Sequence, residues 1–432
     1  MLTLEYKLDG THAQYTAMDE AIRVAQFIRN TCVRKWMDEQ GVSRNDLQTQ
    51  CAVLAQQFPF VAKLNSQARQ ASADRAWAAI ARFYANCKER LPGKKGYPRF
   101  QHDNRSVEYK VTGWRLTSDG KHLTFTDGQG IGTLRLVGTR AIETFPLDQI
   151  QRVRLVRRAD GYYCQFCVRV ERHIAHRPTG VDRGIDVGLS AFYTDSEGAT
   201  VENPRYLRRS EAQVQRCQRA VSRKSNYAKD HTKPKNNHQA RKRRQRSKHP
   251  RHASAALQRM APSSPPTPSP TPSPTKRQQS TNYQKARQRL ARLHLRIHRQ
   301  REDFARKTAS ALISSSDLIA FEDLRIRNLV RNHRLAKSIS DASWGAFLRW
   351  VRYYAQLHTI PAIAVPAQYT SQDCSGVLPN GTRCPERVAK SLSVRTHVCP
   401  RCGLVIGRDY NSAKLIKAAA YRIVGRTRTG QG

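Results

Sequence analysis

The chain has 432 residues, enough for two to four domains, each with its own core. Its 76 lysines and arginines against 33 acids give a formal net charge of +43, which strains a compact chain unless a polyanion neutralises it. Nucleic acid is therefore the expected partner and a membrane surface the weaker alternative: no run of roughly eighteen apolar residues exists, and the N-terminus lacks the basic-then-apolar order of a signal peptide. The ten cysteines are too sparse for a disulfide scaffold, so a reducing, intracellular setting is expected.

Residues 1–10 read as one strand, LTLEYKL, closed by Asp9-Gly10. From about Ala17 to Arg90 the apolar spacing is helical, with Ile22, Ala25, Phe27 and Ile28 in one helix and Ala76, Ala79, Ile80 and Phe83 in a later one. This is either a plain bundle or one whose basic and aromatic exposed positions grip nucleic acid; the spacing does not separate the two. After Leu91-Pro92-Gly93, turns and alternating strands take over in HLTFTD, GTLRLVG and QRVRLVRRADGYYCQFCVRVE, the last a hairpin turning at Ala159-Asp160-Gly161. A small β-barrel or sheet module is expected, to which the first strand can add. Cys164 and Cys167 form a C-x-x-C there, but their strand positions face opposite ways, so they read as thiols without metal.

Residues 180–198 predict a hairpin whose apolar first strand contains Asp186. Such an acid is costly unless solvated, paired or metal-bound; a strand-end capping role is the bland alternative. A basic helix starts at Tyr206 and is interrupted at 228–280, where a cationic stretch and a Pro/Ser/Thr tract cannot bury enough apolar surface to order themselves, so a disordered insertion is expected. The helix resumes at Tyr283 with a stripe of Ala286, Leu290, Leu293, Ile297 and Phe304 among arginines, predicting an antiparallel hairpin of the two arms. A strand carrying Glu322 and Asp323 follows, then a helix with Trp344, Phe347, Leu348, Trp350 and Tyr353, then the strand AIAVPA.

Cys374, Cys384, Cys399 and Cys402 lie in one short, turn-rich segment that cannot bury a core of its own. A tetrahedral zinc ion replaces such a core, and four thiolates in one span point to it; reduced surface cysteines or a redox pair at Cys399 and Cys402 are the alternatives. The chain then runs strand to helix through LVIGRDYNSAKLIKAAAYRIV, with Asp409 at the join. Each of Asp186, Glu322 and Asp409 alone reads as a cap or turn residue. Together, three carboxylates converging from separate strands are what a two-metal nuclease needs, and oxygen ligands suit Mg²⁺ as thiolates suit zinc.

At these residues the sequence resembles the TnpB (OrfB) proteins of bacterial insertion sequences, relatives of the compact type V CRISPR effectors. The resemblance is most specific in GIDVGLSAFYTDSEG, RLARLHLRIHRQREDFARKTA, IAFEDLRIRNL and YTSQDC…LSVRTHVCPRCG…RDYNSA. It implies a multidomain α/β and α+β fold: a RuvC/RNase H-like nuclease core with an inserted zinc ribbon, preceded by a small wedge-like β-barrel carrying a helical insertion. Asp186, Glu322 and Asp409 match the three catalytic motifs and would hold Mg²⁺, as two ions. The implied activity is RNA-guided endonucleolytic cleavage of double-stranded DNA, with a guide RNA from the transposon end, in a monomer at the bacterial nucleoid in the cytoplasm.

The expected domains are 1–10 plus 91–175 (barrel), 11–90 (helical), 176–368 plus 406–425 (nuclease), 369–405 (zinc ribbon) and a tail at 426–432. The sequence departs from the family pattern at Gly407, where an acid is common, in the wide Cys374 to Cys384 spacing, and in the long insertion. The rival readings are a DNA transposase performing strand transfer, a catalytically idle RNA-guided DNA-binding regulator, and a structural zinc-ribbon protein whose acids are merely caps.

Overall fold

The computed structural model describes residues 1–90, 93–226, 280–391 and 393–425; the insertion expected at 228–280, apart from Ser280, and the tail at 426–432 lie outside them. The first half is organised on a seven-stranded antiparallel sheet in the order β2-β6-β7-β1-β5-β4-β3. Its strands are β1 (Leu2–Asp9), β2 (Ser106–Tyr109), β3 (Trp114–Leu116), β4 (His122–Phe125), β5 (Gly132–Val137), β6 (Ile150–Arg158) and β7 (Gly161–Val168). The N-terminal strand does add to this module, at its centre, between β7 and β5. The two edge strands, β2 and β3, are joined by a single 3-10 turn at Val111–Gly113, so the sheet must curl until its ends approach. No pairing closes the edges among the described strands, so of the small β-barrel or sheet module expected this is the open form, a half-barrel. Tyr109 and Phe125 fill the curl, their ring centres 4.7 Å apart.

Helices α1 (His12–Asp38), α2 (Arg44–Gln57), α3 (Pro59–Ala62) and α4 (Ser66–Lys88) are inserted between β1 and β2. Thr11 and Gln14 form a reciprocal capping box that starts α1, and the Gln14 amide also donates to the carbonyls of Ile131 and Thr133 beside and on β5. Ile22, Ile28, Leu47, Leu54 and Ile80 share one continuous core with Leu8, Tyr109 and Phe166 of the sheet, so helices and half-barrel bury their apolar faces together. Cys164 points into this core, while Cys167 lies on the other face of β7.

The second half contains a five-stranded sheet in the order β10-β9-β8-β11-β12, formed by β8 (Asp182–Val187), β9 (Ala191–Asp195), β10 (Thr200–Glu202), β11 (Leu318–Glu322) and β12 (Ala362–Val365). The first three make an antiparallel meander; β11 runs parallel to both β8 and β12. Helices α5 (Tyr206–Arg209), α6 (Glu211–Asn226) and α7 (Thr281–Ser314) follow the meander, and α8 (Ile326–Leu329), α9 (Ala336–Ala342) and α10 (Trp344–His358) separate β11 from β12. Val214 of α6 packs on Leu293 and Ile297 of α7, giving the hairpin expected from the apolar stripe.

One face of this sheet, carrying Ile185, Phe192, Ile319 and Phe321, packs on Ala309 and Ile313 of α7 and on Phe347 and Val351 of α10. The other face, carrying Leu318, Ala320 and Val365, packs on Ile416 and Ala420 of the last helix, α11 (Arg408–Val424). Gly184 makes this second packing possible. A Cβ there would lie 2.3 Å from the Ala413 carbonyl oxygen and 2.5 Å from the Lys417 nitrogen, so α11 rests directly on the backbone of β8. Among the described residues no helix is long and apolar enough to cross a membrane.

Candidate active site and metal centre

The alternation of β11 decides where its acid goes. Ile319 and Phe321 face α7 and α10, so Leu318, Ala320 and Glu322 face α11. On β8, Ile185 faces α7 and α10, which turns Asp186 toward α11 as well. Because Ile185 and Phe321 are register partners on parallel strands, the next residues, Asp186 and Glu322, stand side by side at the same ends of their strands. Asp409 lies in the first turn of α11 and reaches the same corner; a Cβ at Gly188, two residues beyond Asp186, would lie 3.9 Å from Asp409 Oδ2. The three predicted acids thus converge on one corner. Asp409 stands just past a strand-to-helix join, as expected, but the short strand before it pairs within the cysteine segment and not in the five-stranded sheet, so two of the acids come from that sheet and the third from a helix.

The electrostatics follow from this convergence. Burial and then the Glu322 and Asp409 carboxylates push Asp186 well above the usual carboxylate range, partly offset by a hydrogen bond from Ser412 and by the Arg408 guanidinium. Burial also raises Glu322, partly offset by its hydrogen bond from Thr370. A divalent cation would relieve this mutual repulsion, and an all-oxygen donor set suits a hard ion such as Mg²⁺. Ser412, Arg408 and Thr370 escaped the sequence reading, since hydroxyls and single arginines carry no spacing signal; Ser412 and Arg408 flank Asp409 in RDYNSA, where proximity was the available hint.

The cysteine segment contains a two-stranded ribbon, β13 (Thr396–Val398) with β14 (Val405–Gly407), whose turn carries Cys399 and Cys402. The Gly403 N–H donates to the Cys399 carbonyl at 3.0 Å, and Gly403 takes φ of 71°, a left-handed conformation that glycine adopts without penalty. The wide Cys374 to Cys384 spacing resolves into a second hairpin. Val377 bridges Arg383, the Leu378 N–H donates to the Thr382 carbonyl, and the Cys384 N–H donates to the Gly376 carbonyl at 2.8 Å, returning Cys384 to Cys374.

All four sulfurs lie within 4.8 Å of one another, with Cys374 and Cys402 3.6 Å apart and Cys384 and Cys399 3.7 Å apart. A tetrahedral zinc with Zn–S bonds of about 2.3 Å places its sulfurs about 3.8 Å apart, so the set fits zinc. The Gly376 N–H points at Cys374 Sγ at 3.3 Å, and a Cβ at Gly376 would lie 2.7 Å from Cys402 Sγ, so only glycine lets the backbone approach the sulfurs this closely. Burial raises the Cys399 thiol, but backbone N–H groups of Cys402 and Arg401 and the neighbouring thiols outweigh it and bring the group down to about 7, while burial and the same neighbours push Cys374 up to about 12 and raise Cys384, so one thiol ionises at the expense of the others unless a cation joins them.

Comparison with known proteins agrees with the sequence reading. A family model described as "Probable transposase" (OrfB, IS605) matches residues 165–258 and 274–333, and one described as "Cas12f1-like, TNB domain" matches 344–416. A Streptomyces pristinaespiralis protein described as "Putative RNA-guided DNA endonuclease" is 28% identical over 236 residues, which is 55% of this chain and 44% of the relative. The chain thus aligns with less than half the length of that relative. An Escherichia coli protein with the same description, InsQ, is 21% identical over 348 residues, 77% of this chain and 70% of the relative. Among solved structures, Cas12f1 in a complex with guide RNA and target DNA superposes with a TM-score of 0.50 at 11% identity, covering 94% of this chain and 82% of that one; at this identity the likeness concerns fold alone. The resemblance to OrfB proteins is borne out.

Proposed function

We propose that this OrfB-like chain is an RNA-guided DNA endonuclease that hydrolyses phosphodiester bonds at Asp186, Glu322 and Asp409. The observation that carries the reading is the placement of Asp186 and Glu322 in matching register on parallel strands, with Asp409 delivered to them by the helix on that face. Strand order β10-β9-β8-β11-β12 supports a RuvC/RNase H-like core, and the net charge of +43 supports a polyanionic substrate and guide. The names of the two relatives support the same activity.

Asp186, Glu322 and Asp409 would hold Mg²⁺, as two ions, and Cys374, Cys384, Cys399 and Cys402 would hold a structural zinc. Held there, Mg²⁺ would supply Lewis-acid activation of a water and neutralisation of charge at the scissile phosphate. The chain's residues orient: the two strands fix the carboxylates of Asp186 and Glu322 against each other, and the packing of α11 on Gly184 keeps Asp409 at the strand ends. The barrel-and-helix half and the basic helical hairpin supply surfaces for guide and target duplexes, in a monomer of the bacterial cytoplasm. The "Probable transposase" description favours a second reading, strand transfer of element ends, which three acids on such a sheet also serve. Sequencing the RNA that copurifies with the protein separates them: the proposal expects one abundant species from the transposon end, and RNA-free protein would refute it.

A further inference from the structure

The segment that carries the cysteines also holds one of the three carboxylates, that of Glu322, and the chain on either side of Asp409. β12 ends at Val365, the register partner of Glu322, and the chain then turns through Tyr369, a residue with a side chain held in left-handed backbone at φ 64°. Such strain persists only where surrounding contacts impose it, and it concentrates at functional sites. Here the contacts are explicit. The Gln372 and Asp373 N–H groups both donate to the Tyr369 carbonyl at 2.9 Å. The Arg387 guanidinium lies 3.5 Å from the centre of the Tyr369 ring and donates to Asp373 Oδ1 at 2.7 Å.

This turn places the buried Thr370 hydroxyl against the Glu322 carboxylate, with the Ala367 carbonyl 3.2 Å away as a second acceptor. Four residues later comes Cys374. On the opposite side, the fully buried Asn411 accepts from the Ser375 N–H at 3.0 Å and donates to the Asp373 carbonyl at 2.8 Å, so its amide brackets Cys374 two residues beyond Asp409. The Arg408 N–H, just before Asp409, donates to the Arg395 carbonyl at 2.7 Å. Glu322 and Asp409 are therefore each tied to backbone whose course depends on the folded cysteine cluster.

We propose that Thr370 is a positioning residue for the cation held by Glu322, and that metal-dependent folding of the four-cysteine segment sets the divalent-cation affinity of the carboxylates through it. The inference rests on the reading of Asp186, Glu322 and Asp409 as the nuclease centre. A glutamate side chain has three rotatable bonds; one hydrogen bond to Oε1 selects the orientation in which its remaining lone pairs face the cation. Loss of such a supporting bond typically weakens metal binding by about 10- to 100-fold.

The test uses the full-length protein without nucleic acid and Mn²⁺ as the probe, with free Mn²⁺ followed by electron paramagnetic resonance and zinc measured on the same samples. Thr370→Val keeps the shape and removes the hydroxyl; the expected result is Mn²⁺ binding roughly tenfold weaker with zinc content unchanged, and recovery of most affinity in Thr370→Ser. Removing zinc from the wild-type protein with a chelator, then dialysing the chelator away, should weaken Mn²⁺ binding at least as much. Wild-type affinity in Thr370→Val, or loss of zinc from that variant, overturns the positioning role. Unchanged Mn²⁺ binding after zinc removal overturns the coupling. Asp186→Ala is the control that keeps the two readings apart: if it binds Mn²⁺ as tightly as wild type the nuclease centre itself falls, whereas weakened binding in Asp186→Ala beside a normal Thr370→Val sinks this inference alone.

Discussion

Asp186 and Glu322 each sit one residue beyond a register pair, Ile185 with Phe321, on neighbouring parallel strands, and both face the helix that carries Asp409. On the proposed reading no single residue of the three makes a site, because the cation would be held by the group. Alanine at any one of them should reduce DNA cleavage on the order of a thousandfold or more, and a double substitution should add little. Guide RNA binding should persist, since the basic surfaces lie mostly elsewhere. Cleavage by Asp186→Ala at the wild-type rate, measured on plasmid DNA, would remove this assignment.

The four sulfurs take the place of a hydrophobic core in residues 374–404, where, among the described residues, Leu378 and Leu404 pack beside them. Metal analysis should find close to one zinc per chain, lost in Cys399→Ser together with the ordered segment, because binding energy of about 10–16 kcal/mol is folding energy in such modules. A zinc-free protein with wild-type thermal stability would count against the site.

Much of this was legible in the chain itself. Strong alternation and turn chemistry reveal β6, β7, β8 and β11, and an acid amid apolar strand residues marks Asp186 and Glu322 because such a residue needs a compensating partner. Register is different: that Ile185 meets Phe321 depends on packing between segments more than a hundred residues apart, and nothing local encodes it. The same holds for Thr370, whose hydroxyl gains its role only from the turn at Tyr369. The choice between a barrel and an open sheet was likewise not legible, since edge pairing is a property of the curled sheet and not of any one strand.

The insertion expected at 228–280 leaves and re-enters the hairpin of α6 and α7, and Lys224 Nζ lies 3.4 Å from the Asn282 carbonyl oxygen, so its ends are close in space. Replacing residues 228–279 by a short Gly/Ser linker should leave the melting temperature within a few degrees, because loop length costs little. Nonspecific nucleic-acid affinity should fall, and its dependence on salt should become shallower, as fewer cations remain to displace counterions. An unfolded deletion variant would show that the segment contributes to the core.

Asp317 fastens the connection between the two halves. Although burial opposes it, hydrogen bonds from the Thr179 and Gly180 N–H groups, the Thr179 hydroxyl and His176 hold its carboxyl at about 2. A folded-state value below the unfolded one means stability fully present above about pH 4 and lost as pH falls toward 2, worth on the order of 1 kcal/mol at neutral pH because solvent screens so open a group. Asp317→Asn should lower stability by about that amount at pH 7 and by much less near pH 2, as chemical denaturation at the two pH values would reveal. Equal losses at both would refute the charge argument.

On the proposed reading, base pairing with a bound RNA selects the DNA cut at the carboxylate cluster. The most direct measurement is the Mg²⁺-dependent cleavage rate of a plasmid bearing the sequence complementary to the copurified RNA, against the same plasmid with that sequence scrambled. Cleavage of the matched plasmid alone is expected, abolished in Asp186→Ala protein carrying the same RNA. Equal cleavage of both plasmids, or cleavage of the matched plasmid by the Asp186→Ala protein, would contradict it.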